Sequence, residues 1–492
     1  MTILDPRIAV AAKSLIAAAA HVFERDRILP RPAFHPYIKI GQDYFGGSLM
    51  YLPEFEALEA AVAKVHSRFR EETPLPERDF ASTYIFSFLE ACVARCCRND
   101  EPLSATAESV ETSLADLART LASNTWEVAC CREISHLTTL DGRPIDLLEV
   151  TVTPLIASPA DHTRQAHALV DDVIAGAERA YLREAPSGYD PPESIVVARG
   201  CDGKPFEFVD VLSDRIERFL LFTRLLHAGT CHSMYEVRGE TCLVRRFDPT
   251  LILFRGDNRR MMSSTHAVRR TTRLDAADSA RLAGLAQIFD QAVRRHPGVF
   301  VTSFDMAVHK FQLSYHAYAW YEQVVDLATA FEAVLSGKET SDLTLRLKTR
   351  AAALFATESD SAANIFRDIG TLYELRSRLV HGGDLTQKEL KKRIRAISSV
   401  TKGRTFGFEL GCAVDRLRDL VRRGILARIC LASGATPLWT LGEDAGVDAK
   451  LADNRTREEW RLAWHGILES FGAFAAAEKP QAAVDIILPE DQ

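Results

Sequence analysis

Apolar residues recur every three to four positions over most of this chain, a period that predicts helices. The N-terminal region gives helices over Pro6–Arg27, Glu54–Glu72, Arg78–Arg98 and Ala105–Ser123. Pro30, Pro32 and Pro36 separate the first from a short extended piece, Tyr37–Ile40, and Pro74 and Pro76 mark another joint. From Trp126 the period changes. Trp126–Leu140 and Arg143–Val152 flank Asp141–Gly142, a dipeptide suited to a hairpin turn. Helix returns at His162–Glu184, and a proline-rich loop, Pro186–Pro192, leads to a strand at Ile195–Ala198. Val209–His227 reads as helix, Met234–Phe254 as two strands, and Met261–Arg273 as a polar, basic loop or linker. Ala276–Arg295 is helical and stops at Pro297. Asp305–Leu335 is predicted as one long helix, apolar at Val308, Phe311, Tyr315, Val324, Leu327, Phe331 and Leu335. Near the end, Trp460, Trp464, Ile467 and Phe471 predict one docking helix over Glu458–Ala477.

The pattern therefore gives a multidomain, mainly α fold: helical over 1–125, α+β over 126–300, a helical bundle over 303–431, and an acidic C-terminal tail with one helix over 432–492. A length of 492 residues fits more than one domain. No internal repeat is evident. The composition, 47% hydrophobic and 26% charged, is that of a folded chain. No apolar run approaches the roughly 20 residues of a membrane span. The alanine-rich start, Ile8–Val22, carries Lys13 and no cleavage pattern, so it reads as an amphipathic helix and not as a signal peptide. Ten cysteines without a disulfide-like framework predict a reducing, cytoplasmic setting. Cys92, Cys96, Cys97, Cys130 and Cys131 raise the question of zinc. The short Cys-x-x-Cys knuckle is missing and His136 has no partner at knuckle spacing, so buried, unligated thiols are the favoured reading.

The formal charge of −7 excludes a general nucleic-acid sponge, but its distribution is uneven. Arg376–Arg428 holds fourteen Lys or Arg against five Asp or Glu, whereas Ala435–Gln492 holds five against eleven. The basic excess surrounds the stretch Leu372–Gly383, LYELRSRLVHGG. On a wheel of about 100° per residue, Ile365, Ile369, Leu372, Leu375, Leu379 and Val380 form one apolar arc. Arg376 falls near its middle and Arg378 on the polar side. A guanidinium cannot shed its proton, so an arginine in an apolar stripe points to pairing, catalysis or an interface. Gly382 and Gly383 suit a helix C-cap, which puts His381 in the last turn.

The spacing Arg376, Ser377, His381 resembles the motif of the HEPN superfamily, most closely its ApeA-like branch. Ser377 departs from the commonest Asn, Asp or His at the polar position. Tyr321–Gly337, Arg346–Ala356 and Asp415–Ile429 resemble the family's flanking helices, so the resemblance covers roughly Ser303–Leu431. It implies a C-terminal HEPN-type antiparallel helical bundle, RNA as partner, a homodimer that brings two motifs to one cleft, and metal-independent RNA cleavage in anti-phage defence or stress. No cofactor is expected. The N-terminal region would then sense an unidentified trigger ligand.

Metal-free RNA cleavage by the adjacent 2′-hydroxyl needs a group that moves protons near neutrality and a fixed cation for the phosphorane charge. His381 supplies the first and Arg376 the second. Lys388, Lys391, Lys392, Arg393 and Arg395, followed by Lys402 and Arg404, are placed to track an RNA backbone; a solvated helix face is the competing reading. Glu332 and Arg350 are expected to form an internal ion pair. The competing function is an inactive HEPN module for RNA binding or dimerisation. Phosphate-loop, dinucleotide, zinc-protease and nucleophile-elbow motifs are absent, and nothing places a base beside a nucleophile at Ser263, Ser264 and His266.

Overall fold

A computed structural model of the chain describes residues 4–25, 49, 51–73, 80–96, 105–122, 126–162, 165–166, 168–169, 192–202, 205–229, 231–240, 244–247, 271–294, 301–317, 319–336, 342–357, 359–442 and 446–470. The predicted extended piece at Tyr37–Ile40, the loop Pro186–Pro192 up to its last residue, most of the helix His162–Glu184, and Cys97, Ser263, Ser264 and His266 lie outside these residues. The described residues are mainly helical, with a smaller antiparallel sheet. Among them, no helix is long and apolar enough to cross a membrane.

The chain divides into two compact units. The first holds Met1–Pro144, Glu149–Ile216 and Ser233–Leu253; the second holds Ile145–Leu148, Glu217–His232 and Phe254–Gln492. The helices of the first unit are α1 (Pro6–Arg25), α2 (Pro53–Val65), α3 (Ala81–Cys96) and α4 (Ala107–Ala122). They stand where the 3.6-residue period puts them, and each buries its apolar stripe: Ile8, Leu15 and Ala19 on α1, Phe55, Leu58 and Val62 on α2, Leu114, Leu117 and Leu121 on α4. The predicted Glu54–Glu72 helix ends early, at Val65, because His66 turns extended and a short 3₁₀ turn, Ser67–Phe69, follows.

The strands are β1 (Trp126–Ser135), β2 (Leu137–Thr139), β3 (Ile145–Leu147), β4 (Val150–Pro154), β5 (Ser194–Asp202), β6 (His232–Glu240), β7 (Val244–Phe247) and β8 (Thr272–Leu274). In the first unit they run side by side in the order β4, β5, β1, β6, β7. The expected hairpin between Trp126–Leu140 and Arg143–Val152 does not form. β5 lies between the two arms, pairing antiparallel with β1 from Trp126↔Asp202 to Ile134↔Ser194 and with β4 from Val150↔Ala198 to Pro154↔Ser194. The physical reason is burial. β1 is buried on both faces from Ala129 to Ser135, and Ala129 and Cys131 pack with Ile195, Val197, Leu155 and Ala166 on one of them. An edge position beside a tight turn would have left that face in water. Cys92, Cys96, Cys130 and Cys131 are buried. Among the described residues, no group of three or more His, Cys, Asp or Glu side chains is arranged to hold a metal.

α5 (Pro205–His227) runs from the first unit into the second. The second unit continues with α6 (Ala276–Arg294), α7 (Ser303–His316), α8 (Trp320–Leu335), α9 (Leu343–Phe355), α10 (Ala362–Val380), α11 (Gln387–Ile394), α12 (Phe406–Ala432), α13 (Val447–Ala452) and α14 (Asn454–Ser470). The single helix expected over Asp305–Leu335 is two. Ala317 and Ala319 adopt extended backbone angles (ψ 128° and 134°), and the chain folds back so that α7 and α8 pack together. Lys310 on α7 meets Asp326 on α8 at 2.7 Å. Folding back buries Phe311 and Tyr315 against a helix whose own face, Val324, Leu327 and Phe331, is also buried.

α12 is the centre of this unit. It packs against α6, α7, α8, α9, α10, α11 and α14, and nearly every residue from Glu409 to Ala432 is buried. Gly424 lets α8 approach: a Cβ there would lie 2.9 Å from Val334 Cγ1. The acidic tail joins the same unit. Trp460, Trp464 and Leu468 are buried, the Trp464 indole N–H donates to the Leu354 carbonyl at 3.3 Å, and Trp439 stacks on Trp460.

Candidate functional site

α10 begins at Ser361, whose hydroxyl accepts the Asn364 N–H. The helix buries Ile365, Ile369, Leu372, Tyr373 and Leu375. The apolar arc fades at its end, where Val380 is 46% exposed. His381 is the C-cap, its N–H donating to the Ser377 carbonyl at 3.0 Å. Gly382 takes φ 69°, and the Gly383 N–H returns to the Arg378 carbonyl at 2.9 Å. This is a Schellman closure, which needs a left-handed residue at the position after the cap; glycine adopts it at little cost. The closure ends the helix under His381 and leaves the imidazole exposed at the surface.

Arg376 is half-buried. Its Nη2 lies 3.5 Å from Glu332 Oε1 on α8, with side-chain exposures of 24% and 21%. Tyr373, one turn earlier on the same face, completes a small polar cluster. Burial first, then the adjoining Glu332 carboxylate, push the Tyr373 phenol far above its ordinary pKa, with Arg376 pulling the other way. Arg376 Nε, Glu332 Oε1 and the Tyr373 hydroxyl each lack a hydrogen-bond partner of good geometry. The ion pair is therefore loose, and the guanidinium retains donor capacity. Arg378, on the polar side, sits 4.0 Å from Glu389.

The expected Glu332–Arg350 pair is replaced by two others. Glu332 faces Arg376, and Arg350 forms a two-pronged contact with Asp448, Nε to Oδ1 at 2.6 Å and Nη2 to Oδ2 at 3.0 Å. Adjacent helices offered Arg350 a carboxylate, but the C-terminal segment brought a closer one.

The basic run occupies α11 and the loop after it. Thr386 and Glu389 form a capping box that starts the helix, and Leu390 and Ile394 face inward. Lys388 and Lys392 are exposed and Lys391 half-buried. None of the three has an ion-pair partner among the described residues. Arg393 is engaged by Glu374 on α10. Arg395 is gripped by the buried Glu409, with Nε to Oε2 and Nη2 to Oε1 both at 2.8 Å. Arg395 first, opposed by burial and aided by the Gly403 N–H, holds the Glu409 carboxyl below its usual range. The structure thus divides the run on α11 and its end: Lys388, Lys391 and Lys392 carry no ion pair among the described residues, and Arg393 and Arg395 are tied to carboxylates of the bundle.

The basic excess further along α12 is interior. Arg416 bridges Asp360, at 2.7 and 2.9 Å, and Asp368, at 2.9 Å. Asp368 is fully buried and also accepts the Ser398 N–H at 2.9 Å. Arg422 and Arg423 close on Asp419; burial would raise that carboxyl, and the two guanidiniums hold it well below the ordinary range. Arg428 lies 3.6 Å over the Trp439 ring. Arg416, Arg422 and Arg423 neutralise carboxylates inside the fold, and Arg428 donates to the Trp439 and Thr440 carbonyls. Asp368 was legible in principle, because it falls on the apolar arc of α10 just as Arg376 does. Tyr373 carried no separate mark, and Glu332 stood out only as the expected partner of Arg350.

The geometry places a half-buried, partly unpaired guanidinium and an exposed imidazole near one end of α10, with three lysines on the following helix. Such a set can hold an anion and move a proton. No protein-family model, curated protein or solved structure matches the chain.

Proposed function

We propose that the second unit is a HEPN-type helical bundle that cleaves RNA without a metal, as a homodimer, in the cytoplasm and in anti-phage defence or stress, with the first unit receiving the trigger. Arg376 clamps the scissile phosphate. Its five donors match phosphate oxygens, and Glu332 and Tyr373 keep its stem directed. His381 takes the 2′-hydroxyl proton and returns one to the departing 5′-oxygen; the attack leaves a 2′,3′-cyclic phosphate. The observation that carries this reading is the Schellman closure, which exposes His381 at the end of the helix that holds a half-buried Arg376. The test is incubation of the purified chain with total RNA in EDTA. Cleavage should persist and leave 2′,3′-cyclic or 3′-phosphate ends, and strict Mg²⁺ dependence would sink the mechanism.

One observation favours a second reading, an inactive module for RNA binding or dimerisation. Arg376 already has an anion within its own chain, and His381 closes its own helix. Under that reading RNA is bound and never cut in the same assay.

A further inference from the structure

The ion pairs of the second unit differ in how firmly they close. Arg350 grips Asp448 with two prongs, at 2.6 and 3.0 Å. Arg395 grips Glu409 in the same way, with both contacts at 2.8 Å, and Arg416 grips Asp360 at 2.7 and 2.9 Å. Such parallel contacts match the planar fork of a guanidinium to a carboxylate. Arg376 and Glu332 do not meet this way. One contact of 3.5 Å joins them, too long for a good hydrogen bond, and both side chains stay partly exposed.

Glu332 has a second neighbour. Tyr373 lies one turn before Arg376 on α10, and its side chain is buried. Its hydroxyl adjoins Glu332 without a hydrogen bond of good geometry. Burial first, then that carboxylate, push the phenol far above its ordinary pKa, so it keeps its proton and remains a donor. The Glu332 carboxylate is thus drawn toward two donors on one helix and closes fully on neither. A half-buried carboxylate that lost its cation would be costly unless a donor took its place. The Tyr373 hydroxyl is such a donor.

We propose that Glu332 is a displaceable counter-anion of Arg376, and that Tyr373 is the positioning residue that receives it when an RNA phosphate arrives. The inference rests on the reading of Arg376 as a phosphate clamp. In the free chain Glu332 offsets the guanidinium charge. A phosphodiester carries one negative charge and two free oxygens, so it meets the guanidinium fork with two contacts where Glu332 makes one. Glu332 then closes on the Tyr373 hydroxyl. The charge balance at Arg376 is unchanged, one carboxylate out and one phosphodiester in, and a neutral ligand cannot drive the exchange.

The test reads binding without cleavage. The full chain is titrated against a fluorescent 2′-O-methyl RNA oligonucleotide, which lacks the attacking hydroxyl. Glu332→Gln keeps the shape and an acceptor for Tyr373 but removes the competing charge. Binding should tighten about two- to fivefold, the scale of a part-exposed ion pair. The gain should vanish when Arg376→Ala is added, which separates it from a general effect of net charge. Tyr373→Phe alters no charge. It leaves Glu332 with Arg376 as its remaining partner, so binding should weaken by a similar factor. Added to Glu332→Gln, the same change should have no effect. A pair that only holds the arginine in place predicts the opposite sign for Glu332→Gln, a loosened guanidinium and weaker binding. If Tyr373→Phe does not fold, the Glu332→Gln arm decides. Binding that needs Arg376 but is unchanged or weaker in Glu332→Gln overturns the exchange and leaves the phosphate clamp standing. So does a Tyr373→Phe loss that persists beside Glu332→Gln. Binding that is absent, or indifferent to Arg376→Ala, overturns the clamp and the exchange with it.

Discussion

Arg376 is held in two ways that pull against each other. Burial of its stem fixes the direction of the guanidinium, while the 3.5 Å separation from Glu332 and the unpartnered Nε keep the charge incompletely satisfied. A tighter pair would lock the cation, and full exposure would let it wander. On the proposed reading the arginine is poised for a phosphate. Arg376→Ala and His381→Ala should each lower RNA cleavage by about 100-fold or more, the scale of a lost proton-transfer or charge-stabilising group. Circular dichroism and sedimentation of both variants should match the parent. Arg378→Ala should retain most activity, since its side chain is 40% exposed and points to Glu389. An essential Arg378 with a dispensable Arg376 would reverse the assignment.

Between elements, the close approach of α8 to α12 turns on Gly424. Alanine there gains about 1 kcal/mol of helix propensity, yet its Cβ would meet Val334 Cγ1 at 2.9 Å. Both groups sit on helix backbones in the core, so neither yields easily, and overpacking of this kind costs about 1–3 kcal/mol. Gly424→Ala should therefore lower the urea midpoint of unfolding, and Val334→Ala in the same chain should recover part of the loss. A midpoint that rises in Gly424→Ala alone would show that the contact gives way. The ion network of α12 makes a second demand. Asp368→Ala leaves Arg416 with Asp360 alone in a buried site. Removing one partner from a buried pair costs about 3–5 kcal/mol, read again as a fall in the urea midpoint.

At the scale of the whole molecule, net charge hides the arrangement that matters. The chain is acidic overall, and much of its basic excess lies inside the second unit on Arg416, Arg418, Arg422 and Arg428. On the helix that follows His381, Lys388, Lys391 and Lys392 carry no ion pair among the described residues. If these track an RNA backbone, each phosphate left without its lysine reduces the salt slope of binding by roughly 0.7 for a single strand. Changing the three lysines to serine should flatten that slope by about 2 and weaken unrelated RNA sequences alike. Cleavage should recover at saturating RNA, because Arg376 and His381 are untouched. An unchanged slope with normal affinity would return α11 to a solvated helix face.

By itself the sequence determined the helices, since the spacing of apolar residues shows which face must leave water, and capping residues such as Ser361, Thr386 and Gly382 mark the ends locally. It also put Arg376 and His381 at the end of one helix. The tertiary structure alone decided what these residues meet. Nothing local signals the reversal at Ala317–Ala319, because neither proline nor glycine stands there and the apolar period continues through it; burial of two helical faces against each other sets the break. The placement of β5 between β1 and β4 is likewise a choice among partners far apart in the chain. Charges follow the same rule. A guanidinium or carboxylate takes whichever opposite charge the packed helices bring nearest, so Glu332 meets Arg376, Arg350 meets Asp448 and Arg395 meets Glu409. Local spacing fixes which way a side chain points, and only the folded chain fixes what stands opposite it.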